Sequence, residues 1–184
     1  AIDTVKATAA VLRTRDGETV PMGLTPPANH RVAFTRKAPI GVVVAVSAFN
    51  HPLNLIVHQV APAIAAGCPV LVKPAPDTPL SCLAFIDTLP EAGLPKEWVQ
   101  AIVTSDNDLA EKLVTDTRVG FFTFIGSAHV GWSLRSKLAP GTRCALEHGG
   151  AAPVIVTGDC DVYEVREALL KGCFYHAGQV CVSV

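Results

Sequence analysis

Cys181 closes the segment Ala177-Gly178-Gln179-Val180-Cys181, a glycine-containing loop that follows a helical stretch. A cysteine on such a loop can be exposed and activated as a thiolate nucleophile. The commoner fate of a cysteine is that of a small buried hydrophobe. Glu147, in Leu146-Glu147-His148-Gly149-Gly150, ends an apolar run and precedes two glycines. Such a carboxylate is either a desolvated general base or a surface group at a turn. Asn50, in Ala48-Phe49-Asn50-His51-Pro52, either donates its amide to an oxyanion or caps the helix that Pro52 opens. Lys73 ends Val70-Leu71-Val72 and either reaches a phosphate or ribose or is a solvated strand end. Gly126-Ser127-Ala128-His129-Val130-Gly131 joins a strand to a helix. The free N–H groups and partial positive charge of that helix start suit a pyrophosphate, although glycine is common at such turns. Each signal is modest alone, and their joint order carries the weight.

The predicted elements bring these residues together. Residues 1–13 read as a helix with Ile2, Val5, Ala9 and Leu12 on one face, and Pro21, Pro26 and Pro27 mark a loop. Strands are predicted at 31–37, 41–46, 70–73, 98–103, 119–124, 143–147 and 153–156. Helices are predicted at 52–66, with Pro62 inside, and at 78–92. Others run from a cap at Ser105 or Asp106 to Val114, from Ser127 to about Ala139, and over 161–174. Strands alternating with helices imply an α/β fold with an open, mostly parallel sheet covered by helices on both faces. In such sheets ligands bind beyond the carboxyl ends of the strands. Ser47 to Asn50, Lys73, Gly126-Ser127 and Glu147 all fall at those ends.

Composition narrows the alternatives. Apolar residues make up 49% and charged residues 17%, against about 25% charged in ordinary soluble domains. Either part of the surface is normally covered, or this is an Ala- and Val-rich domain with a buried parallel sheet. The net charge of −1 and the lack of a long basic run argue against a nucleic-acid partner. No apolar stretch reaches the roughly 18 residues of a membrane span, and the first residues lack a signal-peptide layout. The six cysteines form no C-x-x-C pair and no zinc-finger cluster, so no metal is expected. Most read as reduced packing residues of a cytoplasmic protein.

Taken in order, the segments Pro39-Ile40-Gly41-Val42-Val43, Phe49-Asn50-His51-Pro52, Lys73-Pro74-Ala75, Ala92-Gly93-Leu94-Pro95, Phe124-Ile125-Gly126-Ser127, Glu147-His148-Gly149-Gly150 and Gly178-Gln179-Val180-Cys181 resemble the aldehyde dehydrogenase superfamily. The interval from Glu147 to Cys181 also matches the family's usual separation of base and nucleophile. The resemblance implies a Rossmann-like NAD or NADP domain and an aldehyde substrate. It implies Cys181 as nucleophile, Asn50 with the Cys181 N–H as oxyanion donors, and Glu147 as the base that activates water. Lys73 is expected on the adenosine ribose, Ser127 and Gly126 at the pyrophosphate, Gly149 beside the nicotinamide, and Ser47 in the coenzyme site.

Three residues depart from the pattern. Phe49 stands where many members have tryptophan. Pro76 stands where many NAD-preferring members carry a ribose-binding glutamate, which leaves NADP open. His148 replaces a leucine and either bears on Glu147 or points away.

The resemblance further implies that residues 1–184 form a single, partial coenzyme-binding domain of a homo-oligomeric parent. Most of the catalytic domain and the oligomerisation segment are expected to lie outside it, and the fragment alone is expected to be inactive. Two other readings stay open: a non-catalytic coenzyme-binding or scaffold protein, and a cysteine-dependent acyl hydrolase using Cys181 and Glu147.

Overall fold

A computed structural model describes residues 1–184. Helix α1 (Ile2–Leu12) is followed by a two-stranded antiparallel ribbon of β1 (Thr19–Val20) and β2 (Ala33–Phe34). The main chain then alternates through β3 (Val42–Val46), α2 (Pro52–Ala65), β4 (Val70–Lys73), α3 (Leu80–Glu91), β5 (Val99–Ala101), α4 (Asn107–Thr115), β6 (Val119–Ile125), α5 (Ala128–Ser136), β7 (Arg143–Glu147) and α6 (Val162–Phe174). β3 to β7 form one sheet in the order β5-β4-β3-β6-β7, and every pairing within it is parallel.

The alternation of β3 explains the layers. Val43 and Ala45 pack with Ile56, Val60 and Ala63 of α2 and Cys82 of α3 on one face. Val44 packs on the other face with Val114 of α4, Val119, Phe122 and Phe124, backed by Leu134 of α5. Val44 and Ala45 are both fully buried, as a central strand of a doubly covered sheet requires. Helices therefore cover both faces. Local caps set their starts: the Asp106 carboxylate accepts from the N–H groups of Asp108 and Leu109 at 2.9 and 3.2 Å. Ser127 Oγ accepts from the Val130 N–H at 3.4 Å, and Asp161 caps α6 through the Tyr163 N–H at 2.8 Å. α2 runs through Pro62 as one helix.

Three strand expectations change. Of residues 31–37 only Ala33–Phe34 pairs, because its sole neighbour is the two-residue β1. The strand expected at 98–103 shortens to Val99–Ala101, since Trp98 closes a 3₁₀ turn (Lys96–Trp98). Residues 153–156 form no strand. Their β-branched pattern is real, but no segment of the chain offers them a ladder, and Ile155 is 87% exposed. α6 likewise buries none of its residues. No helix is long and apolar enough to cross a membrane.

One irregularity sits in the sheet. The β3–β6 register shifts between Val42 and Val43, so that Val119 pairs with Val42 and Phe121 with Val43. Gly120 is the extra residue, and a Cβ there would overlap the Ile40 carbonyl oxygen. This bulge puts Val119 and Phe122 on one face, although they are three residues apart. Gly120→Ala is expected to lower stability by about 1–3 kcal/mol, because backbone must yield. Gly158→Ala, with nothing near the added carbon, is the control. Thermal unfolding of the two variants checks this, and equal midpoints would contradict it.

Candidate active site

The carboxyl ends of β3, β6 and β7 open onto one cleft of about 770 Å³. Asn50, Glu147 and Cys181 all line it, and so do Gly126, Ser127 and Gly149. Six of the residues singled out in the sequence thus border a single hollow. Lys73 and Ser47 do not line it; both are buried, 9% and 6% exposed. The Ser47 N–H donates to the Lys73 carbonyl at 3.0 Å, which fixes the two strand ends side by side.

Asn50 lies in the loop between β3 and α2. It does not cap α2, whose N-terminal flanking residue is His51, with no side-chain cap bond. Its Nδ2 instead donates to the Gln179 carbonyl at 2.8 Å. One amide therefore ties the start of α2 to the loop that carries Cys181, 129 residues away in sequence. The same β3–α2 loop is held from the other side by Thr78 Oγ1, which donates to the Phe49 carbonyl at 3.4 Å.

Cys181 is the one exposed cysteine of six, and none is disulfide-bonded. Burial pushes the Cys82 thiol up to about 11, which makes it an inert core residue. The approach to Cys181 is strained. His176, Ala177 and Gly178 have φ of 49°, 55° and 74°, and the left-handed region costs non-glycine residues roughly 1–2 kcal/mol each. The His176 ring meets the His51 ring edge-on at 4.6 Å, which braces this turn against the start of α2. Gly150 completes the arrangement: a Cβ there would collide with the Cys181 carbonyl. The lack of a side chain at 150 lets the end of β7 and the cysteine loop share one side of the cleft.

Of the two sequence readings of Glu147, a desolvated base or a surface carboxylate at a turn, its surroundings fit the second. It is exposed, because β7 is the edge strand of the sheet and the face carrying Arg143, Ala145 and Glu147 is open. Its backbone carbonyl accepts from the Gly126 N–H at 3.0 Å, which couples β7 to the turn before α5. His148 packs against Trp132 of α5 and Phe124 of β6, at ring distances of 5.4 and 6.2 Å. It is a packing residue under α5 and makes no hydrogen bond to Glu147.

Lys73 has no carboxylate partner; its Nζ reaches only the Pro74 carbonyl, at 3.4 Å. Burial lowers its pKa. A buried cation without an anionic partner is costly on its own and suits an anionic or hydroxyl-rich ligand. Ser127 sits at the N-terminus of α5, where the helix offers N–H groups to a phosphate. These residues fit a dinucleotide. No three His, Cys, Asp or Glu side chains are grouped to hold a metal ion.

Gln59 was not singled out by the sequence reading, yet it lines the same cleft and is 6% exposed. The signal was there: it occupies a position of the α2 stripe otherwise held by Ile56, Val60 and Ala63.

A parallel α/β sheet that gathers a free thiol, a carboxylate and a helix N-terminus around one cleft is the architecture of the coenzyme-binding domains of oxidoreductases. The sequence model described as the aldehyde dehydrogenase family matches residues 1–184, and the chain belongs to that family. It is 39% identical over all 184 residues to 3-sulfolactaldehyde dehydrogenase of Priestia megaterium, covering 38% of that protein. It is 43% identical over 150 residues to succinate semialdehyde dehydrogenase of Acinetobacter baylyi, which takes in 80% of this chain and 31% of the relative.

Among solved structures, aldehyde dehydrogenase 21 from Physcomitrella patens, in complex with the product succinate, superposes with a TM-score of 0.90 at 36% identity. That match covers 100% of this chain and 38% of the other. Glyceraldehyde-3-phosphate dehydrogenase from Methanocaldococcus jannaschii, complexed with NADP, gives 0.88 at 34% identity, over 100% and 40%. The chain thus spans about 38% of the length of the first of these relatives. The fold is the Rossmann-like α/β domain of this family, and the family's coenzymes are NAD and NADP.

The unpaired cation gives a stability prediction. A lysine whose pKa is lower in the folded state penalises that state wherever it must be charged, and the penalty fades as pH rises toward the ordinary lysine range. Lys73→Met is expected to add on the order of 1 kcal/mol at neutral pH. The midpoint should rise by about 2–4 °C, by less at high pH. Thermal melts across pH, without coenzyme, check the sign; a loss of stability would refute it.

Proposed function

We propose that the complete protein oxidises an aldehyde to a carboxylic acid with NAD or NADP. Cys181, as thiolate, attacks the carbonyl carbon to form a thiohemiacetal. The Asn50 amide and the Cys181 N–H hold the oxyanion during attack. A dinucleotide bound there would supply the hydride acceptor, and loss of hydride from the thiohemiacetal leaves a thioester on Cys181. Glu147 then takes a proton from water, and the resulting hydroxide attacks the thioester and releases the acid. Lys73 holds the adenosine ribose, with Ser47 beside it. Gly126 and Ser127 hold the pyrophosphate at the start of α5, and Gly149 leaves room for the nicotinamide. Pro76 puts no carboxylate beside Lys73 to repel a 2′-phosphate, so both coenzymes are admitted.

The observation that carries this reading is the shared cleft. Thiol, carboxylate and carboxamide line one hollow with the α5 start, and Asn50 is bonded to the cysteine loop itself. The apo bond to Gln179 is exchanged for the oxyanion as the aldehyde enters. Six free cysteines suit a reducing, cytoplasmic setting. Residues 1–184 alone are proposed to bind coenzyme without turnover, because on them Glu147 faces open solvent rather than a closed site.

The chemistry separates by variant. Cys181→Ala in the complete protein should reduce no coenzyme with any aldehyde. Glu147→Gln should release about one equivalent of reduced coenzyme per site in the first turnover, then slow by roughly 10²-fold or more as the thioester persists. Stopped-flow absorbance of the reduced nicotinamide reads both. Steady turnover by Cys181→Ala would remove the proposed nucleophile, and a missing burst in Glu147→Gln would remove the proposed base.

A further inference from the structure

The sheet-facing side of α2 carries one polar residue in an otherwise apolar stripe. Gln59 Nε2 donates to the Val46 carbonyl at 3.2 Å, to the Thr123 carbonyl at 3.1 Å and to Thr123 Oγ1 at 3.2 Å. Its Oε1 is buried with no donor. A buried amide with an unmet acceptor is costly, and an apolar side chain of the same length would avoid that cost among Ile56, Val60 and Ala63. Stability alone therefore does not explain a glutamine here.

Its acceptors do. Val46 is the last residue of β3, four before Asn50, and Thr123 stands four before Ser127 on β6. The ladder already pairs Val46 with Phe124, so the amide adds a different attachment: it fastens helix α2 to both strand ends at once. α2 also supplies Leu55 and His58 to the cleft wall, and Asn50 sits at its start. We propose that Gln59 is a positioning residue, fixing the height and rotation of α2 over the β3 and β6 ends. That sets Asn50 at its working distance from the cysteine loop. The proposal rests on the aldehyde-oxidising reading above.

The test uses the complete protein with three variants. Gln59→Met fills similar space without an N–H. Gln59→Lys restores donors to the two carbonyls. Thr123→Val removes one of the three contacts. Each is read by kcat for aldehyde oxidation, by coenzyme Kd from nucleotide titration and by thermal midpoint. In Gln59→Met, kcat should fall about 10- to 100-fold, the scale of a displacement on the order of 1 Å at a reacting group. Coenzyme Kd should stay within about twofold, and the midpoint should not fall. Gln59→Lys should recover most of the lost kcat, and Thr123→Val should lose less than Gln59→Met. The role is overturned if Gln59→Met keeps wild-type kcat, or if kcat, Kd and midpoint decline together as for a plain structural defect. Should Gln59→Met not fold, an unchanged kcat in Thr123→Val overturns it equally. Absence of coenzyme reduction by the wild type with every aldehyde would instead defeat the enzymatic reading beneath it.

Discussion

Val44 and Ala45 have no route to water on either side of β3, and the rest of the architecture follows from that burial. A strand covered on both faces needs apolar layers above and below, which α2 with α3 and α4 with α5 supply. Parallel neighbours on both edges force each connection to cross back over a face of the sheet. All the carboxyl ends then lie along one margin. The loops after β3, β6 and β7 meet there because the sheet order sets those three strands side by side.

Within that margin, precision comes from single polar bonds rather than from packing. The helices and strands put groups within several ångströms of one another. Asn50 to Gln179, Gln59 to Val46 and Thr123, and Gly126 to Glu147 each join elements far apart in sequence. Each has a backbone carbonyl as acceptor, so substitution at the acceptor position leaves the bond in place. The specificity of the arrangement is therefore concentrated on a few donors. The left-handed turn through His176 and Ala177 is held by such contacts together with the edge-on contact of His176 with His51.

Much of this was legible in the sequence. Val42–Val46, Val70–Lys73 and Arg143–Glu147 are β-branched or apolar runs bounded by Gly, Pro or polar turns, and they form where expected. Ser127 and Asp161 cap their helices because a short polar side chain before an apolar stripe has one low-energy use. That Asn50, Gly126, Ser127 and Glu147 border one margin was legible from their places at strand ends, whereas Cys181 joined them only through the family resemblance. What local pattern could not supply was partnership. Residues 153–156 look like a strand, but a strand is a relation between two segments. The exposure of Glu147 depends on what lies beyond an edge strand. Gln59 was passed over because its acceptors stand 13 and 64 residues away. Lys73 and Ser47 were placed at the right strand ends, but their burial depends on neighbours that the local pattern does not name.

The bare segment Pro153-Val154-Ile155-Val156 bears on how the chain behaves in bulk. With Val154 and Val156 each 47% exposed and Ile155 more so, it offers solvent a β-prone, uncharged run of apolar side chains. Copies of residues 1–184 in concentrated solution have that surface in common, and extended apolar segments of this kind add to one another edge to edge. A lysine in place of Ile155, which does not border the cleft, would therefore act on colloidal behaviour.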